Sequence, residues 1–163
     1  MAYRVRRTSR DDWRQLRELR LTALSDPVAS VAFYEPYEEA LELTQGEWER
    51  RAVGRTTVTF IGETESGEWG GMVGVFSRGG VAQVVGVYMR PEHRGTGLAH
   101  LLMQAAIDWA DGREVRLRVH ENNPRAVKFY RSLGFEPTGD RAVDPADPVY
   151  ETYELVLRSP RSP

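Results

Sequence analysis

Cysteine is absent from the 163 residues. Its absence excludes disulfides, thiolate metal sites and a covalent cysteine mechanism, and it suits a reducing compartment. Long apolar runs are missing too. No stretch approaches the roughly 20 residues that span a bilayer, and the N-terminus lacks the apolar centre of a secretory signal. A soluble, cytoplasmic chain without a membrane partner is therefore expected. Charge of one sign is also lacking: 22 Lys and Arg face 24 Asp and Glu, a formal net charge of −2. No basic excess announces a nucleic-acid partner. The Arg-rich stretch Tyr3 to Arg20 is interleaved with Asp11, Asp12 and Glu18 and reads as a solvated helix face.

What is present is ordinary globular material, 40% apolar and 28% charged. The length suits one core, so a single domain over residues 1–158 is expected, with 159–163 as a flexible tail. Tyr3 to Thr8 alternates like an opening strand. Ser9 then looks like an N-cap, and the helix after it ends near Asp26-Pro27. Val31 to Tyr37 is aromatic and Pro-interrupted, and reads as loop and short helix. Thr44 caps a second helix to Val53, with Glu47 at its third position. Thr56–Glu63 and Trp69–Ser77 are strands around the turn Ser66-Gly67. Val81 to Met89 is nearly continuous in apolar residues, as suits a central strand buried on both faces. From Leu98 to Trp109 apolar residues recur at i, i+3, i+4, i+7, i+8 and i+11, an amphipathic helix. Val115–Val119 is a short strand. Asn123 and Pro124 open another helix that Gly134 ends. Phe135–Arg141 and Tyr150–Leu157 close the chain as strands. Hairpins coexist with crossovers, which predicts an α/β fold with a mixed sheet.

The chemistry concentrates in Arg94-Gly95-Thr96-Gly97-Leu98-Ala99, between the apolar strand and the amphipathic helix. Two readings are open. The glycines form a tight strand-to-helix turn, or they let the backbone approach a phosphate at the helix N-terminus, with Arg94 and His93 adding charge. Gly-x-Gly-x-x-Gly and Gly-x-x-x-x-Gly-Lys-Ser/Thr are both absent, which removes the main support for a dinucleotide dehydrogenase or a P-loop nucleotidase.

A third pattern fits. Arg94 to Ala99 is similar to Arg/Gln-x-x-Gly-x-Gly/Ala, the coenzyme A loop of the GNAT superfamily of acetyl-CoA-dependent N-acetyltransferases. Val87-Tyr88-Met89-Arg90-Pro91 resembles the strand ending that precedes it. Leu117 to Phe135, with Asn123, Ala126, Tyr130 and Gly134-Phe135, resembles the family's second signature. The resemblance implies a mixed, mostly antiparallel sheet of about seven strands flanked by about four helices. One pair of strands would splay apart to form the acetyl-CoA slot.

The resemblance also implies the site residues. Backbone amides of Arg94, Gly95, Thr96, Gly97, Leu98 and Ala99 would cradle the pyrophosphate. The strand edge Val87, Tyr88 and Met89 would pair with the pantetheine arm, and an N–H near Met89 would polarise the acetyl carbonyl. Asn123 would cap its helix and contact coenzyme A. Tyr130 would line the slot as general acid toward the departing thiolate; from periodicity alone it reads as a core aromatic. The implied reaction is direct attack by a neutral amine of a small molecule or a protein, with acetyl-CoA as cosubstrate and no metal. The alternative is an inactive coenzyme A-binding regulatory module. The base is left open among His120, Glu35, Glu92, Glu121 and water. The acidic, aromatic Phe33 to Glu39 segment and the closing hairpin are expected to line the acceptor pocket, either for a cationic amine or as a solvated loop. A homodimer would form through the sheet edges and that hairpin.

Overall fold

Glycines close the hairpins where the sequence puts them. Gly67 (φ +86°) turns one, and Gly79-Gly80 (φ +57° and +79°) turns the next. The computed structural model describes residues 2–158, so the expected tail lies outside the described residues. The strands are β1 Arg4–Arg7, β2 Val58–Glu63, β3 Trp69–Arg78, β4 Val81–Met89, β5 Val115–His120, β6 Glu136–Val143 and β7 Glu151–Leu157. They form one seven-stranded sheet in the order β1-β2-β3-β4-β5-β7-β6. Every neighbouring pair is antiparallel except β4 and β5, which are parallel.

The helices are α1 Trp13–Ser25, α2 Ala29–Ala32, α3 Tyr37–Leu41, α4 Gln45–Val53, α5 Leu98–Ala110 and α6 Pro124–Ser132. The segment Val31 to Tyr37, expected as loop and short helix, runs from the end of α2 to the first residue of α3. Thr44 caps α4 by accepting from the Glu47 N–H at 3.2 Å, which satisfies one of the donors left free at a helix start. Ser9 caps a 3-10 turn, Arg10–Asp12, before α1 begins, and its own N–H donates to Asp12 Oδ2 at 2.7 Å.

The core lies on both faces of the sheet because strand side chains alternate. Met72 and Tyr88 pack with Leu16, Leu19 and Trp48 under α1 and α4. Val73, Val75 and Val84 pack with Leu98, Leu102, Met103, Tyr130 and Phe135 under α5 and α6. Each such large apolar side chain contributes about 1.5–3 kcal/mol on burial.

The feature that shapes the site is a break in β4. Its register with β3 runs Gly74↔Val85 and then Met72↔Tyr88, so β4 carries one extra residue. Gly86 sits in this bulge with φ +61°, a conformation that a side chain disfavours. On its other edge β4 pairs with β5 only at Ala82↔Val115 and Gln83↔Arg116. Beyond that, β5 stays with β7 as far as His120↔Thr152 and leaves β4. The expectation of a strand buried throughout therefore needs correction: Val85 is 41% exposed. The bulge turns it toward a cavity rather than the core.

Candidate functional site

The splay leaves two strand edges without a neighbour. Arg90 N–H donates to Gly70 O on β3 at 2.8 Å. Strand alternation then aims the backbone of Tyr88 at β3, and that of Met89 and Val87 at the edge β5 has left. Of the predicted trio, Val87 therefore offers the slot its N–H and C=O groups and Met89 its N–H, the Met89 carbonyl accepting from Arg94 Nε. Tyr88 does not. Its ring lies on the α1 face beside Phe33, 6.2 Å between centroids, and its hydroxyl donates to Asp26 Oδ2 at 2.8 Å. Burial, and then the Asp26 hydrogen bond and charge, push the Tyr88 phenol up to about 12.

The Arg94 to Ala99 loop follows from two glycines with left-handed backbones, Gly95 at φ +75° and Gly97 at φ +88°. A Cβ at either position would meet nothing within 4 Å, so the loop's outer side is open ground. Its inner side is braced. Thr96 Oγ1 donates to His93 O at 2.6 Å and accepts from the Tyr3 hydroxyl at 3.0 Å. Leu98 is fully buried, packed where Gly62 and Gly70 leave room for it by lacking a Cβ. That seat pins the first turn of α5, whose N–H groups and dipole face outward toward any anion held there.

The side chains of His93 and Arg94 do not add charge to this cradle, contrary to expectation. His93 is buried against Tyr3 and Glu68, with Nδ1 2.8 Å from the Tyr3 hydroxyl and Nε2 3.2 Å from Glu68 Oε1. Arg94 Nε donates to Met89 O at 3.1 Å, and its Nη2 pairs with Asp26 at 2.9 Å. Asp26 thereby ties the end of α1 to both β4 and the loop. In the sequence it is only a residue before a proline at a helix end, and no local signal marks this role.

Tyr130 stands on α6 in the same buried cluster as Val84 and Met89 of β4 and Leu117 and Val119 of β5. Its ring packs on Phe129 at 5.3 Å and Phe135 at 5.9 Å. Burial alone pushes its phenol far above the ordinary value, with no hydrogen bond contributing. Asn123 Oδ1 accepts from Ala126 N–H at 3.3 Å, so it caps α6 as the sequence predicts.

Three of the four candidate side-chain bases, His120, Glu121 and Glu35, are committed to protein partners. His120 is buried, with Nε2 3.0 Å from Asp144 Oδ2 and Nδ1 accepting from Asn122 N–H at 3.0 Å. A neutral ring with both nitrogens so used has no lone pair left for an amine. Glu121 accepts from Glu151 N–H at 2.7 Å. Glu92 lies on the far side of the loop, beside Glu68 and His93, the one group of potential metal ligands among the described residues. Glu35 pairs with Arg51 at 2.6 Å and Arg20 at 2.9 Å. Burial pushes its carboxyl up, but the bonds and charges of Arg51 and Arg20 outweigh this and hold it below the usual range.

Glu35 is therefore not the free anion that an acidic acceptor loop would offer. Phe33 is buried, under the Arg20 guanidinium at 4.9 Å. Tyr34 remains 54% exposed and lies close to Asp144 and Thr152 of the closing hairpin. A cavity of about 920 Å³ opens on the α1–α4 side of the sheet, and its wall includes Val85 and Gly86.

Comparison with known proteins agrees with this geometry. The profile described as the acetyltransferase (GNAT) family matches residues 11–135. A peptidyl-lysine N-acetyltransferase, YjaB of Salmonella typhimurium, is 33% identical over 70 residues, 43% of this chain and 47% of that protein. A mycothiol acetyltransferase of Segniliparus rotundus is 38% identical over 78 residues, 48% of this chain and 29% of the relative. The matched region is thus about half the length of the first relative and less of the second. Among solved structures, the PaiA N-acetyltransferase of Thermoplasma acidophilum, in complex with coenzyme A, has the same fold, with a TM-score of 0.76 at 17% identity over 97% of this chain and 99% of the other. The seven-stranded sheet with its splayed parallel pair, the open glycine turn into α5 and a profile match over residues 11–135 lead to one conclusion: the chain belongs to the GNAT acetyltransferase family.

Proposed function

We propose that this protein transfers an acetyl group from acetyl-CoA to a primary amine by direct attack. The observation that carries the reading is the opening between β4 and β5, with an anion-ready turn at one end and Tyr130 in the buried cluster to which both strands contribute. The backbone amides of Arg94 to Ala99 hold the pyrophosphate, in the space that Gly95 and Gly97 leave free. Val87 and Met89 bind the pantetheine arm as an added strand would. The Met89 N–H is a fixed donor for the carbonyl oxygen as negative charge grows on it, an effect typically worth about 2.7–4 kcal/mol. Tyr130 O–H, which has no protein acceptor among the described residues, donates to the departing sulfur. Asn123 holds the start of α6 beside the slot.

The amine must attack in its neutral form, and an alkyl ammonium with a pKa near 10.4 is mostly charged at neutral pH. With His120, Glu121 and Glu35 occupied, its proton goes to solvent. Release of free thiol from acetyl-CoA, followed across a panel of amines, tests the reading. Coenzyme A should also raise Tm by mass action. Absence of both effects refutes it.

A further inference from the structure

The acceptor's chemistry is inferred on top of that reading. The cavity at Val85 and Gly86 lies against the residues immediately before Val87 on β4, on the sheet face away from α5 and α6. About 920 Å³ is ample for a small molecule. The charge of its lining is the informative part. Five arginines face three glutamates there. Arg10 and Glu49 neutralise each other at 2.6 Å, and Glu47 is bonded back to the Thr44 hydroxyl at 3.1 Å. Glu35, however, is shared by two guanidiniums, Arg20 and Arg51. Arg50 and Arg55 also line the cavity, and neither pairs with a carboxylate among the described residues.

Arg20 is the pivotal one. Its side chain is only 19% exposed, and desolvation lowers its pKa even though Glu35 raises it. Its Nη1 lies 3.3 Å from where a Cβ on Gly86 would sit. A buried guanidinium with half a carboxylate to itself is an under-neutralised cation, and it stands at the bulge next to the proposed thioester position. Such a site repels a polycation and attracts an anion.

We propose that the acceptor is a small amine that also carries a carboxylate, with the carboxylate held by Arg51 and Arg20 while the amine reaches the slot past Gly86. Arg51 is the more accessible clamp, 40% exposed; its two terminal nitrogens hold Glu35, but a guanidinium carries five N–H donors, and those not bonded to Glu35 can take a second carboxylate. Polyamines and uncharged amines are then the poor substrates.

The test uses matched pairs that differ in the anionic group alone, an α-amino acid against its amide and γ-aminobutyrate against its amide, with spermidine as the polycation. In at least one pair the acid should have a kcat/KM about ten-fold or more above the amide. Arg51→Gln should erase that preference by raising KM for the acid, with KM for acetyl-CoA unaltered. Acids no better than amides in every pair, spermidine better than all acids, or a preference that survives Arg51→Gln each overturn the inference. Protection of Tm by coenzyme A, measured on the same samples, reads the acetyl-transfer proposal separately. Protection without an acid preference removes the acceptor class alone; loss of protection removes the slot as well.

Discussion

Removing one oxygen atom separates the catalytic from the structural role of Tyr130. Tyr130→Phe keeps the ring contacts to Phe129 and Phe135 and forfeits no hydrogen bond to the described residues, burial being the one cause that shifts the phenol. Stability should therefore stay within about 1 kcal/mol, or about 2–4 °C in Tm for a chain of this size. Activity should not stay. A positioned general acid is worth about 10²–10⁴-fold, so kcat should fall at least about 100-fold, or about 2.7 kcal/mol. KM for acetyl-CoA should change little, because the bond to sulfur matters as charge develops there. Tyr130→Ala is the contrast: emptying an aromatic site costs about 3–5 kcal/mol, so Tm should drop by about 6–20 °C. Burial raises the phenol's pKa, so the donor stays protonated and the wild-type profile should show no loss from Tyr130 below about pH 10. Stopped-flow thiol release and a thermal melt on the same preparations decide it. Unchanged kcat in Tyr130→Phe refutes the acid role. A large drop in Tm together with kcat would make the hydroxyl structural.

Three other outcomes are expected. Gly97→Val should weaken coenzyme A binding by at least about ten-fold in calorimetry, whereas Gly79→Val, equally left-handed and equally open, should cost about the same 1–2 kcal/mol of strain and leave binding intact. His120→Gln should lower stability by about 1–3 kcal/mol by weakening the contact to buried Asp144, yet the rise of kcat/KM with pH should persist; its disappearance would make His120 the base. The Asp12 carboxyl is held low by its hydrogen bonds to Arg6, and that of Glu35 by Arg51 and Arg20 against the opposing pull of burial. Folded values below the unfolded ones, about 3.9 and 4.3, mean the stabilisation is complete above about pH 5 and is lost as pH falls through the folded values. Tm should thus hold from pH 7 to 5 and fall below about 4, less steeply in Glu35→Gln.

The elements that were legible in the sequence are those built by neighbours along the chain. The stripe from Leu98 to Trp109, the Asn123-Pro124 helix start, the Thr44 cap and the glycine turns rest on interactions within about four residues. The nearly continuous run Val81 to Met89 marked the central strand, and the order of hairpins and crossovers marked the mixed sheet. The two motifs around Gly97 and Tyr130 marked the glycine turn into α5 and the aromatic ring on α6 that the proposal uses as cradle and acid, because both are local features: a helix start and a ring within a helix.

Tertiary structure decided everything that depends on segments far apart meeting. Arg94 meets Asp26 across 68 positions, so its charge leaves the cradle it was expected to serve. His120 meets Asp144, an aspartate from the β6–β7 loop, across 24 positions of sequence, which is why the proposal does not use it as the base. The acidic Phe33 to Glu39 segment reads either as a cation site or as a solvated loop until Arg20 and Arg51 fold onto Glu35 and neutralise it. Local propensity sets where a backbone turns. Charge, exposure and proton affinity are set by whichever groups the finished fold brings within a few ångströms, and no spacing along the chain encodes those distances.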